Sequence, residues 1–220
     1  MSNQKEIRAR ISSTISTQQI TKAMKLVSAT KLRKASDAIV RMRPYALKLQ
    51  GIMSNLQESV DDDRLAVYFE QREVRKVCLV VISSDRGLCG AFNANVAKRT
   101  RHLLENDYKE LVKKDAVEII CIGKKAGETL KRLGYKINTE YQNLLLDLNA
   151  EKAFNFTETL IQRFKAGDMD KIEVVFNQFK NAATQILTNE SVLPISAEKS
   201  DNKSNSGDYL FEPSKVVILE

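Results

Sequence analysis

The chain has no tryptophan, and only 6% of its residues are aromatic. That is a small supply of the side chains that dominate compact cores, and it leans the reading toward long helices. The single histidine, His102, and the three widely spaced cysteines, Cys78, Cys89 and Cys121, exclude a thiolate–imidazole metal centre and a disulfide framework. Two of the cysteines lie in apolar runs, where reduced, buried thiols are expected. No stretch approaches the roughly 18 consecutive apolar residues that span a bilayer. The opening Met1-Ser-Asn-Gln-Lys-Glu-Ile-Arg8 lacks the apolar core of a secretory signal and the acid-free, Ser-rich character of a transit peptide. A bacterial cytoplasmic location is therefore expected. The dinucleotide and P-loop glycine fingerprints are missing too. His102, between Arg101 and Leu103, has no obvious nucleophile beside it, and Asp61–Asp63 and the pair Asp168/Asp170 lie in polar segments where solvated charge is the default. An enzyme with its own active site is disfavoured, and no cofactor or metal is expected.

What is abundant is helix. From about Asn3 to Gln57 the chain carries a helical pattern. Apolar residues recur at Ile7, Ile11, Ile15, Ala23/Met24, Val27, Leu32, Ala35, Ile39, Met42, Ala46, Leu49, Met53 and Leu56. Steps of three and four predict one apolar stripe on a long rod. At 1.5 Å per residue such a rod spans roughly 80 Å, so it needs a partner helix or a hole to sit in. Pro44 removes one backbone bond and Gly51 weakens the far end. The rod is also where the charge is. Residues 1–50 hold eleven Lys and Arg against Glu6 and Asp37, while the remaining 170 residues set 24 bases against 26 acids. A basic helix on a near-neutral body suggests an acidic partner: nucleic acid, anionic lipid or a carboxylate-rich protein. Lys22, Lys25, Lys31, Arg33 and Lys34, ahead of an apolar stripe, superficially resemble a DNA-gripping basic-region zipper. The stripe lacks a regular leucine series, however. A merely solvated basic face is the plainer alternative.

A different pattern begins at Arg75. Continuous apolar runs at residues 76–83 and 117–122 read as strands buried on both faces. The first ends in the glycine-bearing turn Ser84-Asp-Arg-Gly-Leu-Cys-Gly-Ala-Phe-Asn93. Helices are expected from about Asn93 to Lys113, Lys124 to Leu133 and Glu151 to Phe164. A third strand is expected to start at Tyr135, a fourth to cover Ile172–Phe179, and an edge strand to run through Gln185–Ile195, where Pro194 is tolerated. The alternation predicts a three-layer α/β domain with a largely parallel sheet. The organisation expected is a basic stalk helix over 1–60, a linker over 61–75, the α/β domain over 76–195, and a polar loop with the start of a further element over 196–220. Gly87 and Gly90 are read as serving a tight connection, and Arg86 at its tip is suited to grip a carboxylate.

Two stretches carry a resemblance. Ile20-Thr-Lys-Ala-Met-Lys-Leu-Val-Ser-Ala-Thr-Lys-Leu-Arg-Lys-Ala35 and Ser83-Ser-Asp-Arg-Gly-Leu-Cys-Gly-Ala-Phe-Asn93 resemble the gamma subunit of the F-type, proton-translocating ATP synthase, and the likeness runs through Ser191-Val-Leu-Pro-Ile195. The resemblance implies a non-catalytic central-stalk rotor subunit. Its long helix would be half of an antiparallel coiled coil inside a hexamer of alpha and beta subunits. Its α/β domain would be bound to epsilon and to the membrane-embedded c-ring, at the cytoplasmic face of a bacterial inner membrane. It would couple ion-driven rotation to ATP synthesis or hydrolysis at the alpha–beta sites. Carried over by motif, Lys22, Lys25, Lys31 and Arg33 would lie near the acidic lever segment of beta, and Arg86 would approach it from the adjoining loop. Met24, Val27, Leu32 and Ala35 would pack along the stalk. Asp85, Arg86, Gly87, Gly90 and Asn93 form the loop signature. The family continues beyond the equivalent of Val216-Val-Ile-Leu-Glu220 with a second long helix, so a shortened chain is expected. Residues 196–208 hold no cysteine, so the thiol switch of chloroplast relatives is not expected.

Overall fold

The computed structural model describes residues 3–57 and 63–195, which divide between two units, Met1–Glu58 and Ser59–Glu220. The expectations for residues 58–62 and 196–220 lie outside the described residues.

The first unit is one α-helix, α1 (Gln4–Gln57), with Pro44 inside it. Apart from that proline and Gly51, it holds few residues that oppose helix. Its hydroxyl side chains fold back on the preceding turn: Thr14 Oγ1 donates to the Arg10 carbonyl at 2.8 Å, and Thr21 Oγ1 to that of Thr17 at 2.8 Å. The single expected stripe divides in two. At about 100° per residue, Ile7, Ile11 and Ile15 share one face. Leu32, Ala35, Ile39, Met42, Ala46 and Leu49 alternate steps of three and four on a face about a third of a turn away. Nearly all of this surface is exposed, from Leu49 at 43% to Met24 at 64%.

The second unit is built on a four-stranded sheet in the order β2-β1-β3-β4: β1 (Val77–Ile82), β2 (Val117–Ile122), β3 (Lys171–Phe179) and β4 (Gln185–Leu193). β1 runs parallel to both β2 and β3, and β4 closes one edge antiparallel to β3. Strand alternation sends Val77, Leu79 and Val81 to one face and Cys78 and Val80 to the other, and all five are buried. On the first face they meet Val96 and Ala97 of α3 (Phe92–His102) and Ala126 and Leu130 of α5 (Lys124–Arg132). On the second they meet Leu160 and Phe164 of α6 (Ala150–Lys165). Helices thus cover both faces of a mostly parallel sheet, as expected. Within the stretch read as a linker, Asp63–Phe69 forms α2, and its Val67 and Tyr68 pack on that second face.

Three expectations change. The helix expected over 93–113 is interrupted. After α3, Leu103–Asp107 widens into a π-turn, and α4 (Lys109–Lys113) follows it. The Tyr135 strand reduces to one bridge, in which the Asn138 amide donates to the Ile119 carbonyl at 2.8 Å and the Cys121 amide to the Asn138 carbonyl at 3.2 Å. Its lysine and asparagine sequence offers little for a buried position. Asp170 is not a solvated carboxylate. It is 3% exposed, and Oδ2 accepts the amides of Arg75 and Lys76, both at 2.9 Å, which pins the entry of β1 to the entry of β3.

The α6 face carries two checks. Phe164 is fully buried beneath the Arg72 guanidinium, 4.5 Å from its ring centroid, so Phe164→Ala should cost about 3–5 kcal/mol in chemical denaturation. Glu118 meets Arg163 at 2.6 Å and Asn138 at 3.0 Å. Burial alone would raise its pKa, but these hydrogen bonds and the Arg163 charge hold it below the ordinary carboxylate range. A depressed folded-state pKa contributes stability that is present above the ordinary value of 4.5 and is lost as pH falls through the folded value. Glu118→Gln should therefore lower the neutral plateau of the stability-versus-pH curve and flatten its acid limb, the two proteins converging at low pH.

Candidate functional site

Two surfaces hold the residues singled out in the sequence, one in each unit. On α1, Lys22, Lys25, Lys31 and Arg33 are all exposed. Helical geometry does not bring all four together. Lys22, Lys25 and Arg33 fall within about a quarter turn of one another, on the face that Ile7, Ile11 and Ile15 begin. Lys31 stands nearly opposite Arg33, on the side that carries Met24, Val27, Leu32 and Ala35. Arg33 Nε stands 4.0 Å from Asp37 Oδ2 with both side chains mostly exposed, a pairing too long and too wet to cancel the positive face.

The second surface is the loop between β1 and α3. Its base is fixed by the sheet. The Ser83 amide donates to the Ile122 carbonyl at 2.8 Å, its Oγ accepts the Ala126 amide at 3.1 Å, and the Ser84 carbonyl accepts the Lys125 amide at 3.1 Å. This closeness leaves no room for a side chain at Gly123. Its φ is +85°, and an added Cβ would come within 2.0 Å of the Ser83 carbonyl oxygen.

Above that base Asn93 is the hub. Its Oδ1 accepts the Ser84 amide at 3.0 Å. Its Nδ2 approaches Ser84 Oγ at 2.8 Å, Cys89 Sγ at 3.0 Å and the Arg86 carbonyl at 3.3 Å. Ser84 Oγ lies 2.6 Å from the same Arg86 carbonyl. Leu88 and Gly90 both take φ of +60°, a conformation that glycine adopts freely and leucine does not. Arg86 and Leu88 are both exposed, Leu88 completely so. Asp85 differs from its neighbours: its Oδ1 is buried with no hydrogen-bond partner.

The sequence reading missed Ser83, Gly123 and the cations of the adjoining helices. Lys98 and Arg101 of α3 and Lys125 and Arg132 of α5 line a groove of about 680 Å³ that opens beside Gly87, Cys89 and Gly90. The available signal was their spacing, three residues apart on α3 and seven on α5, which puts each pair on one helix face. Cys78 and Cys121 are buried as expected, and burial pushes both thiols up to about 12; Cys89 is exposed. Among the described residues no metal-ligating cluster occurs, and no helix is long and apolar enough to cross a membrane. Asn93→Ala should cost about 1–3 kcal/mol, and the Ser84 amide should lose hydrogen-exchange protection well before the β1 amides do.

Residues 3–220 match the family model described as ATP synthase. The chain is 45% identical to the ATP synthase gamma chain of Cytophaga hutchinsonii, covering all of this chain and 76% of that one. It is 48% identical to that of Christiangramia forsetii, covering all of this chain and 75% of the relative. Among solved structures, the central stalk and c-ring of Tetrahymena thermophila mitochondrial ATP synthase contains a chain of like fold, with a TM-score of 0.58 at 22% identity. That match covers 80% of this chain and 72% of the other. A rotor chain of Euglena gracilis mitochondrial ATP synthase matches with a TM-score of 0.53 at 24% identity, over 86% of this chain and 62% of that one. By the extent of these matches, the chain belongs to the ATP synthase gamma-chain family.

Proposed function

We propose that the chain is the rotor subunit of the central stalk of an F-type ATP synthase, coupling c-ring rotation to ATP synthesis or hydrolysis at the alpha–beta catalytic sites. The observation that carries this reading is the match to gamma chains over the whole of this chain and about three quarters of theirs, 76% for the Cytophaga relative, joined to a 54-residue helix most of whose apolar positions are exposed. An uncovered apolar surface of that extent calls for partners, and a rod inside a ring of subunits supplies them. The chain takes no catalytic part: it hands asymmetry to sites on other subunits. Its partners are the alpha and beta subunits, epsilon and the c-ring. It reaches the membrane only through that ring, at the cytoplasmic face of the bacterial plasma membrane.

In this reading the face formed by Lys22, Lys25 and Arg33 meets the acidic lever segment of beta, and Arg86 meets it from the loop. Lys31, on the other side of α1, lies among the residues that pack along the stalk, Met24, Val27, Leu32 and Ala35. Exposed cations steer such an encounter and set its register more than they add affinity. The order imposed on the loop by Asn93 keeps Arg86 from paying a large entropic cost on contact.

Two measurements test the reading. The purified chain should turn over no ATP, and appreciable hydrolysis by the chain alone would sink the non-catalytic assignment. In an assembled complex, Lys25→Glu with Arg86→Glu should lower ATP-driven proton pumping, while circular dichroism of the isolated variant stays unchanged. Undiminished pumping would refute the role given to these two residues.

A further inference from the structure

The α3–α5 groove has a charge pattern that the stalk reading does not use. Four cations line it, from two helices. Arg101 is balanced by Glu105 at 3.6 Å and Lys125 by Glu128 at 2.8 Å. Among the described residues Lys98 and Arg132 form no ion pair. Arg132 makes only 3.4 Å contacts, to the Glu128 carbonyl and to Thr129 Oγ1. Four cations thus face two carboxylates, with Glu128 felt by Arg132 as well as by Lys125, which leaves a net excess of two positive charges. A second depression of this unit behaves differently. There, in about 600 Å³, Arg163 faces Glu118 at 2.6 Å and Lys136 faces Asp115 at 2.7 Å, so each of these cations has its anion.

The mouth of the groove is bare for a reason that packing within this chain does not supply. A Cβ at Gly87 would meet nothing within 4 Å, and no left-handed φ demands glycine there. Gly90 needs its φ of +60°, but it too faces open space. Both leave backbone uncovered at the rim, where a side chain would narrow the entrance. A volume of about 680 Å³ falls in the range of small-molecule sites. Two guanidinium forks and two ammonium groups around it match an anion with several oxygens.

We infer that the groove between α3 and α5 binds a compact polyphosphate anion, held between Lys98 of one helix and Arg132 of the other. Arg101 and Lys125 contribute once the ligand displaces their neighbouring carboxylates. The recognised group is the phosphate chain, so inorganic pyrophosphate and the phosphates of a nucleotide are both candidates. The inference concerns the chain alone and stands apart from the rotor reading, which could fail without touching it.

The test is calorimetric titration of the full chain with sodium pyrophosphate at low salt. Lys98→Ala with Arg132→Ala should weaken binding about tenfold or more, the loss expected for charged hydrogen bonds. Lys109→Ala with Lys180→Ala removes the same charge outside the groove and should change binding less than about twofold, the size of a screened long-range effect. Both pairs are exposed, so circular dichroism should show the fold kept. ATP should compete with pyrophosphate, and adenosine should not. Absence of pyrophosphate binding, equal weakening by the two double variants, or displacement by adenosine would each overturn the assignment.

Discussion

β1 is hydrogen-bonded on both sides, to β2 and to β3, and its alternate side chains are locked into opposite cores. Among the described strands, no other is paired with a parallel strand on each edge. The position of its last residues is therefore set by the whole unit and not by the loop that follows. Two ties make this explicit. Asp170 fixes where β1 begins, through the amides of Arg75 and Lys76. Ser83 and Ser84 fix where it ends, against the first turn of α5. A loop grown from so constrained a strand end inherits its accuracy, which is how an exposed Arg86 can have a defined place.

α1 obeys the opposite logic. Its helical conformation comes from local sequence, while most of its described apolar positions are exposed. Burial contributes about 25 cal/mol per Å², and that stabilisation is largely unrealised while Ile7, Met24, Val27 and Met42 stand exposed. The shift of the apolar face between its amino-terminal part and the stretch from Leu32 onward adds a constraint. Alternating steps of three and four belong to a left-handed seam, while steps of four drift the other way. One straight partner helix cannot follow both faces. Different surroundings for the two parts of the rod follow from the sequence once it is wound.

Much of this was legible beforehand, and the exceptions share a cause. The buried strands announced themselves as uninterrupted apolar runs, while the edge strand expected to run through Pro194 ends at Leu193, just before it. The Tyr135 strand failed because one hydrogen-bonded bridge is a tertiary event with no local pattern. Asp170 was misread because a carboxylate in a polar turn looks solvated until the amides just ahead of β1, that of Lys76 lying 94 residues earlier, are found beside it. The single stripe on α1 was an artefact of counting steps without winding them. At the loop, the glycines and Asn93 were recognisable as a motif. The role of Gly123 was not, because the contact that forbids its side chain comes from Ser83, forty residues away.

Net charge misled in the same way. Summed over residues 51–220 the chain is slightly acidic, which located all basic character on α1 and left the α/β unit looking neutral. The fold sorts those charges. Carboxylates neutralise the depression beside β2, and lysines and arginines collect between α3 and α5. Electrostatic reach in salt is about 8–10 Å, so a ligand or partner at one face senses that face and not the sum. The cationic loop tip and groove open at the carboxyl end of β1, where Asn93 and the serines hold the backbone still. A surface ordered before contact loses little entropy on binding, so even a few exposed cations there can discriminate where the mobile lysines of an ordinary surface cannot.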